Sequence, residues 1–278
     1  MKNINLLKNL KVNLHLTKEC NYKCGYCFAD FKHNENLSLN EWKIIINNLK
    51  ASGMVSEVNF AGGEPLLYPG FWELADYAKH GHLKVSVISN GSLFNDKFII
   101  RRMIPCIDMF GFSIDSFNNG ILARLGRQCN KKIFSFDDFN SAVSVLRNFN
   151  NDIKIKVNTV VSLFNKDEYL AEYMNGVDRW KIFKVKFFKS KSYSNKEFLI
   201  SDEDFNQFLY KNKVNVPKSL QIITEKSMVR SYIIVDNRGN VLDNYNDNYV
   251  IIGNLLKESF DDIMERYNFD LKLYNDRY

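Results

Sequence analysis

Cys20-Asn-Tyr-Lys-Cys24-Gly-Tyr-Cys27 is the stretch on which the reading of this chain turns. It gathers three of the chain's five cysteines into eight residues. An odd total and this crowding suit a reducing compartment and metal ligation better than a disulfide framework. Three thiolates on one short loop can take three corners of an iron–sulfur cluster and leave one iron open. A closed zinc site is the alternative. It wants four ligands, commonly in Cys-x2-Cys pairs, and no second pair exists, although His15 and His33 could complete such a set.

Outward from the loop, short runs rich in β-branched and aromatic residues alternate with amphipathic stretches, the pattern of βα units feeding a parallel sheet. The predicted strands are 12–16, 55–61, 84–89, 109–114, 154–161 and 181–187, with helices over 39–52, 72–80, 95–104, 137–149 and 166–174. Six such units fit an open, partial barrel whose ligands sit at the C-terminal ends of the strands. A doubly wound open sheet is the other architecture this rhythm allows. After residue 188 the rhythm breaks into a helix over 202–210 and a hairpin, 231–235 with 240–242, turning through Asn237-Arg238-Gly239. The expected organisation is a core of residues 1–190 and a C-terminal extension of residues 191–278, packed together as one structural unit. With 4 Pro and 13 Gly in 278 residues, no linker-like stretch separates them.

The cysteine loop follows the first predicted strand, and Gly62-Gly63-Glu64-Pro65 follows the second. Paired glycines let the backbone approach a ligand closely. Cys-x3-Cys-x2-Cys with an aromatic residue before the last Cys resembles the mark of the radical S-adenosylmethionine (SAM) enzymes. That resemblance implies a [4Fe–4S] cluster on Cys20, Cys24 and Cys27. It also implies bound SAM, whose methionine amino group meets Gly62, Gly63 and Glu64. Ser89-Asn90-Gly91-Ser92 and Ser113-Ile114-Asp115-Ser116 stand at the next two strand ends. They read as ordinary turn chemistry or, by the resemblance, as adenosine contacts through Ser89, Asn90 and Ser113. Leu125-Gly126-Arg127 resembles a loop that offers a guanidinium to the SAM carboxylate.

Lys156 and Asn158 alternate on one strand and share a face, as do Arg179 and Lys181 on the next. Cations paired on one face of a closed sheet are costly unless they meet an anion. With Asn13 and Asn59 on neighbouring strands they predict a polyphosphate pocket. Period two sends Lys184 and Lys186 to the opposite, solvated side.

Taken in order, Val12-Asn13, the cysteine loop with Phe28, Val58-Asn59 through Pro65, Ser89 through Leu93, Lys156-Val157-Asn158, Arg179-Trp180-Lys181 and Ser231-Tyr232 with Asp236 resemble segments of the viperins and their prokaryotic relatives, over nearly the whole chain. The resemblance implies an α/β fold, a partial (βα)6 radical SAM barrel capped by the C-terminal extension. It implies an antiviral (anti-phage) enzyme that dehydrates a ribonucleoside triphosphate, CTP before UTP or GTP, to the chain-terminating 3′-deoxy-3′,4′-didehydro nucleotide. Asn13, Asn59, Lys156, Asn158, Arg179 and Lys181 become substrate contacts. Tyr232 becomes a late donor of a proton or electron, a packed aromatic with a bonded hydroxyl being its other reading. An electron donor of flavodoxin or ferredoxin type is the implied partner. Glu57 stands where animal viperins carry a basic residue.

Thirty-eight Lys and Arg against 32 Asp and Glu leave a charge of +6, which favours anionic ligands of any kind. Residues 1–10 hold no continuous apolar core for a signal peptide or membrane span. The expectation is a cytoplasmic protein with no membrane attachment and no stable nucleic-acid partner. Two other functions compete. A radical SAM enzyme acting on a peptide or RNA is one, and the absence of Cys after Cys129 for auxiliary clusters counts against its peptide form. A zinc-stabilised nucleic-acid-binding module is the other, and it leaves Gly62-Gly63-Glu64-Pro65 unexplained. Cys106 and Cys129 match no ligand position and are expected to be buried.

Overall fold

The computed structural model describes residues 7–29, 35–94, 105–187, 194–225, 229–244 and 249–276. Within them β1 (Leu10–Thr17), β2 (Val55–Gly62), β3 (Lys84–Ser89), β4 (Met109–Ser113), β5 (Lys154–Val161), β6 (Arg179–Lys184) and β7 (Gln221–Glu225) pair side by side, all parallel. At the far edge β8 (Ile233–Val235) pairs in parallel with β1. There β9 (Asn240–Asp243) and β10 (Val250–Asn254) continue antiparallel. The result is one ten-stranded sheet in the order β10-β9-β8-β1-β2-β3-β4-β5-β6-β7. Its edges, β10 and β7, stay unjoined, which makes it an open, partial barrel. The C-terminal segment extends the sheet at both ends: β7 beyond β6, and β8 to β10 beyond β1.

Each strand divides its side chains by period two. On β1, Val12, Leu14 and Leu16 face the helices and join the main core, while Lys11, Asn13 and His15 line the barrel interior. The same split puts Val58 and Phe60 outside and Asn59 and Ala61 inside on β2. On β5, Ile155 and Val157 go outward and Lys156, Asn158 and Val160 inward. Trp180 of β6 is fully buried on the outer side and donates from Nε1 to Thr159 Oγ1 at 2.9 Å. That bond satisfies the polar tip of a side chain otherwise held by packing.

The outer layer is α1 (Leu39–Ala51), α2 (Phe71–His80), α3 (Asn119–Leu125), α4 (Phe136–Phe149) and α5 (Asp202–Asn212), with short α6 (Phe260–Arg266) and α7 (Leu271–Asn275) near the C-terminus. Helices α1, α4 and α5 open on reciprocal capping boxes, Ser38 with Glu41, Ser135 with Asp138 and Ser201 with Asp204. Each cap contributes about 1 kcal/mol. Their buried faces follow helical spacing: Trp42, Ile45, Ile46 and Leu49 on α1, and Phe139, Ala142, Val143 and Leu146 on α4.

The predicted helix over 166–174 is a correction, because only a 3-10 turn, Ala171–Tyr173, forms there. Asn212 of α5 takes the backbone groups a helix would pair internally. Its Oδ1 accepts from Leu170 N (2.7 Å) and Ala171 N (3.2 Å), and its Nδ2 donates to the Glu168 carbonyl (2.9 Å). The sixth strand runs Arg179–Lys184 rather than over 181–187. The helix expected over 95–104 lies outside the described residues. Cys106 is buried and Cys129 only half-buried. Among the described residues no helix is long and apolar enough to cross a membrane.

Candidate active site

The inward faces of the strands and the loops above them enclose a cavity of about 260 Å³. Thiols border its mouth, at the C-terminal ends of the strands, and amides and cations form its floor.

The cysteine loop is strapped down from two sides. Lys23 N donates to the Gly126 carbonyl (3.0 Å) and Gly25 N to the Leu125 carbonyl (3.1 Å), tying the loop to the end of α3. From β2, Gly63 N donates to the Thr17 carbonyl and Glu64 N to the Glu19 carbonyl, both at 2.7 Å. Backbone lies directly on backbone here, which is why the motif positions are glycine. A Cβ at Gly63 would stand 2.1 Å from the Glu19 carbonyl oxygen, and one at Gly126 would stand 2.0 Å from that of Lys23. Cys20, Cys24 and Cys27 all border the cavity. A cluster takes one thiolate at each of three corners, and three thiols of one loop bordering one cavity fit that group. His33, one of the two histidines weighed for zinc, lies outside the described residues.

Gly126 also holds φ at +75°, a conformation that costs a non-glycine residue about 1–2 kcal/mol before any clash. Gly126→Ala is therefore expected to lower the melting temperature and the iron bound per chain together. Full iron loading in that variant would contradict this account of the loop.

Of the residues predicted to hold SAM, Gly62, Gly63, Asn90, Ser113 and Arg127 reach the cavity, while Glu64 and Ser89 lie behind its surface. The Glu64 carboxylate accepts from Ser89 Oγ (2.9 Å), Asn90 N (2.8 Å) and Leu66 N (3.3 Å), so it fixes the two loops that face the cavity. Burial outweighs these bonds and pushes its carboxyl up to about 7. The unfolded chain ionises this group near 4.5 and the folded chain near 7, so stability falls as pH rises through that window. Glu64→Gln lacks the penalty and gains roughly 3 kcal/mol on the wild type between pH 4.5 and 7. Urea melts of cluster-free protein at the two ends of the window check this, and parallel profiles would contradict it.

Arg127 is fully engaged. Its guanidinium pairs with Asp115 at 3.1 Å, donates to the Ser113 carbonyl and stands 3.4 Å from the Tyr26 hydroxyl, which itself donates to Asp115. Asp115 also receives Val160 N at 2.6 Å. Sequence reasoning gave no role to Tyr26, the aromatic before the last cysteine, or to Asp115, although both stand inside motifs it singled out.

On the floor, Asn59 Nδ2 donates to Asn13 Oδ1 (3.0 Å) and Asn13 Nδ2 to the Ile233 carbonyl (3.1 Å). Ser86 Oγ bridges Asn59 Oδ1 (2.9 Å) and Glu57 Oε1 (2.8 Å). Glu57 is neutralised by Lys11, whose ammonium lies 2.6 Å away. Lys11 thus brings a cation to the wall where Glu57 itself does not. Period two on β1 put Lys11 and His15 on the face of Asn13, a signal the sequence carried and the prediction left unused.

The predicted cations separate. Lys181 is 1% exposed and already paired with Glu225 of β7 at 2.5 Å, while Arg179 donates from Nε to Gln221 (2.9 Å); neither lines the cavity. Lys156 does line it, 8% exposed, and among the described residues no carboxylate pairs with it. Burial, then the charges of Lys181, Lys11 and Arg179, hold its pKa well below the usual lysine range. Asn158 Oδ1 is buried with no hydrogen-bond partner among the described residues, an acceptor suited to a ligand hydroxyl or amine. Lys184 and Lys186 depart from expectation, because both border the cavity. The strand ends at Lys184, so its alternation no longer governs Lys186, whose ammonium stands 5.9 Å from the Tyr249 ring centre.

The family model described as the Radical SAM superfamily matches residues 14–176, so the barrel and its cysteine loop are those of a radical SAM enzyme. The structure of Streptococcus suis SuiB bound to S-adenosylmethionine shares the fold, with a TM-score of 0.71 at 17% identity over 97% of this chain and 67% of that one. SAM and an iron–sulfur cluster are the cofactors of this superfamily. The S-adenosylmethionine-dependent nucleotide dehydratase of Selenomonas ruminantium is 41% identical, covering 96% of this chain and 98% of its own. Its counterpart in Fibrobacter sp. (strain UWH6) is 30% identical over 98% and 89%. Within the superfamily, the chain belongs to the S-adenosylmethionine-dependent nucleotide dehydratases, the viperins.

Proposed function

We propose that the enzyme dehydrates a ribonucleoside triphosphate, CTP before UTP or GTP, to the 3′-deoxy-3′,4′-didehydro nucleotide, a chain terminator serving anti-phage defence in the cytoplasm. When bound, SAM and a [4Fe–4S] cluster on Cys20, Cys24 and Cys27 supply the radical that takes the ribose 4′ hydrogen. Loss of the 3′ hydroxyl as water then consumes one proton, and one electron completes the alkene.

One observation carries this reading: Lys156, a buried lysine that no carboxylate pairs with among the described residues, lies toward the floor of a cavity whose mouth is bordered by three thiols. A polyphosphate at Lys156, with Lys11 beside it and Arg179 and Lys181 contributing from behind, turns the attached ribose toward the mouth. Asn13, Asn59 and Asn158 offer amides along the way. Gly62, Gly63, Asn90, Ser113 and Arg127 hold SAM, with Glu64 and Ser89 fixing the loops from behind. Tyr232, which borders the cavity from the start of the hairpin, supplies the late proton or electron. A flavodoxin- or ferredoxin-type donor supplies external electrons. Residues 1–190 form the core and 191–278 an extension of the same unit, a division supported by the continuity of the sheet.

Calorimetric titration of SAM-loaded holoenzyme with CTP, CDP, CMP and cytidine tests the orientation. Affinity is expected to fall about tenfold with each phosphate removed. Equal affinity for CTP and cytidine would overturn it.

A further inference from the structure

On the wall facing β8, three side chains make a cluster that no motif announced. Glu225 Oε1, at the end of β7, lies 2.5 Å from Lys181 Nζ and 3.2 Å from the Tyr232 hydroxyl, which donates to it. The Lys181 ammonium also stands 5.0 Å from the centre of the Tyr232 ring. Glu225 and Lys181 are each about 2% exposed at the side chain, and both Glu225 and Tyr232 border the cavity. The carboxylate therefore has an ammonium against it and a phenol donating to it, on the wall of the compartment where the substrate is held.

We propose that Glu225 is a positioning and proton-accepting residue for Tyr232: it orients the phenol and receives its proton when Tyr232 gives an electron to the substrate radical. This rests on the nucleotide dehydratase reading above. The Tyr232 O–H bond breaks, its electron reduces the substrate species that has lost the 3′ hydroxyl, and the proton forms an O–H bond on Glu225 Oε1. The phenoxyl radical left behind takes one electron from the flavodoxin- or ferredoxin-type donor, and the proton returns from Glu225. Lys181 Nζ, 2.5 Å from Glu225 Oε1, holds the carboxylate in place against the phenol. A proton acceptor within hydrogen-bond distance is what a phenol needs to give up an electron without forming a buried cation.

The test measures two products of the same turnover, 5′-deoxyadenosine and the didehydro nucleotide, in reconstituted enzyme with SAM, dithionite and CTP. In Glu225→Gln the nucleotide formed per 5′-deoxyadenosine is expected to fall about 10- to 100-fold, with Glu225→Asp recovering part of it. Added to Tyr232→Phe, Glu225→Gln is expected to change nothing further. Without cofactors, the 13Cζ resonance of Tyr232 is expected to shift in Glu225→Gln, reporting loss of the charged acceptor. Should the single variant fail to fold once Lys181 loses Glu225, Lys181→Met with Glu225→Gln removes both charges and is expected to show the same fall in ratio at saturating CTP. An unchanged ratio, or both products falling in parallel, overturns the proposal. A wild type that makes no 5′-deoxyadenosine in response to any nucleotide overturns instead the reading on which it rests.

Discussion

Cys24→Ala is expected to purify without the brown colour of an iron–sulfur protein and to form 5′-deoxyadenosine more than 100-fold more slowly than the wild type. Losing merely an outer-sphere partner of a metal ligand typically costs 10–100-fold, and Cys24 is a ligand in this account. The fold should survive. Cys24 lies in a loop whose position is set by neighbouring backbone: Lys23 and Gly25 bond to Gly126 and Leu125, and Cys27 N bonds to the Cys24 carbonyl, none of which needs the thiol. Circular dichroism and the iron-to-protein ratio separate the two effects. A brown, active Cys24→Ala protein would mean that the cluster is held elsewhere.

Lys156→Met carries the second large effect, and it has opposite signs for stability and for binding. In the free protein the lysine sits among Lys11, Lys181 and Arg179 with its pKa held well down. A depressed pKa means that the folded state resists the proton the unfolded chain accepts, so the charged lysine destabilises the fold. This penalty is full below the folded pKa and fades as pH rises toward 10.5. Lys156→Met is therefore expected to melt higher than the wild type at neutral pH, with the gap closing in alkali. Nucleotide affinity goes the other way. Truncating one partner of a buried, hydrogen-bonded charge pair costs 2–5 kcal/mol, and about 3 kcal/mol corresponds to a loss of roughly 100-fold for CTP. A bound anion raises the lysine's pKa, so the CTP affinity of the wild type is expected to fall more steeply than that of the variant as pH rises, and parallel profiles would contradict it. Unchanged CTP affinity would remove Lys156 from the site.

Much of this was legible because two local rules operate without reference to distant chain. Period two placed Lys156 with Asn158 and Arg179 with Lys181, and the register Asn13 to Asn59 and Lys156 to Arg179 sets those strands side by side. Amphipathic spacing marked α1, α4 and α5, and the structure adds a capping box at the start of each. What escaped depends on partners far along the sequence. The stretch over 166–174 loses its helix to the amide of Asn212, more than thirty residues later. Lys181 meets its anion in Glu225, on a strand too short to stand out, and Glu57 meets its cation in Lys11. The sequence pattern correctly required anions for paired cations; it had no means of showing that the protein provides some of them itself. Glu64 is a similar case. Its carboxylate bonds Ser89 and Asn90, far along the chain from its own motif, and so fixes the loops that face the cavity.

The claim that joins these observations is that a radical formed at the cysteine mouth acts on a ribonucleoside triphosphate held on the cationic floor. Anaerobic incubation of reconstituted protein with SAM, dithionite and each of the four ribonucleoside triphosphates, read by mass spectrometry, addresses it directly. The predicted result is that one triphosphate, CTP first, stimulates 5′-deoxyadenosine and yields a nucleotide lighter than itself by one water. If no triphosphate raises 5′-deoxyadenosine above the level seen with SAM alone, and no dehydrated nucleotide appears, the account is contradicted.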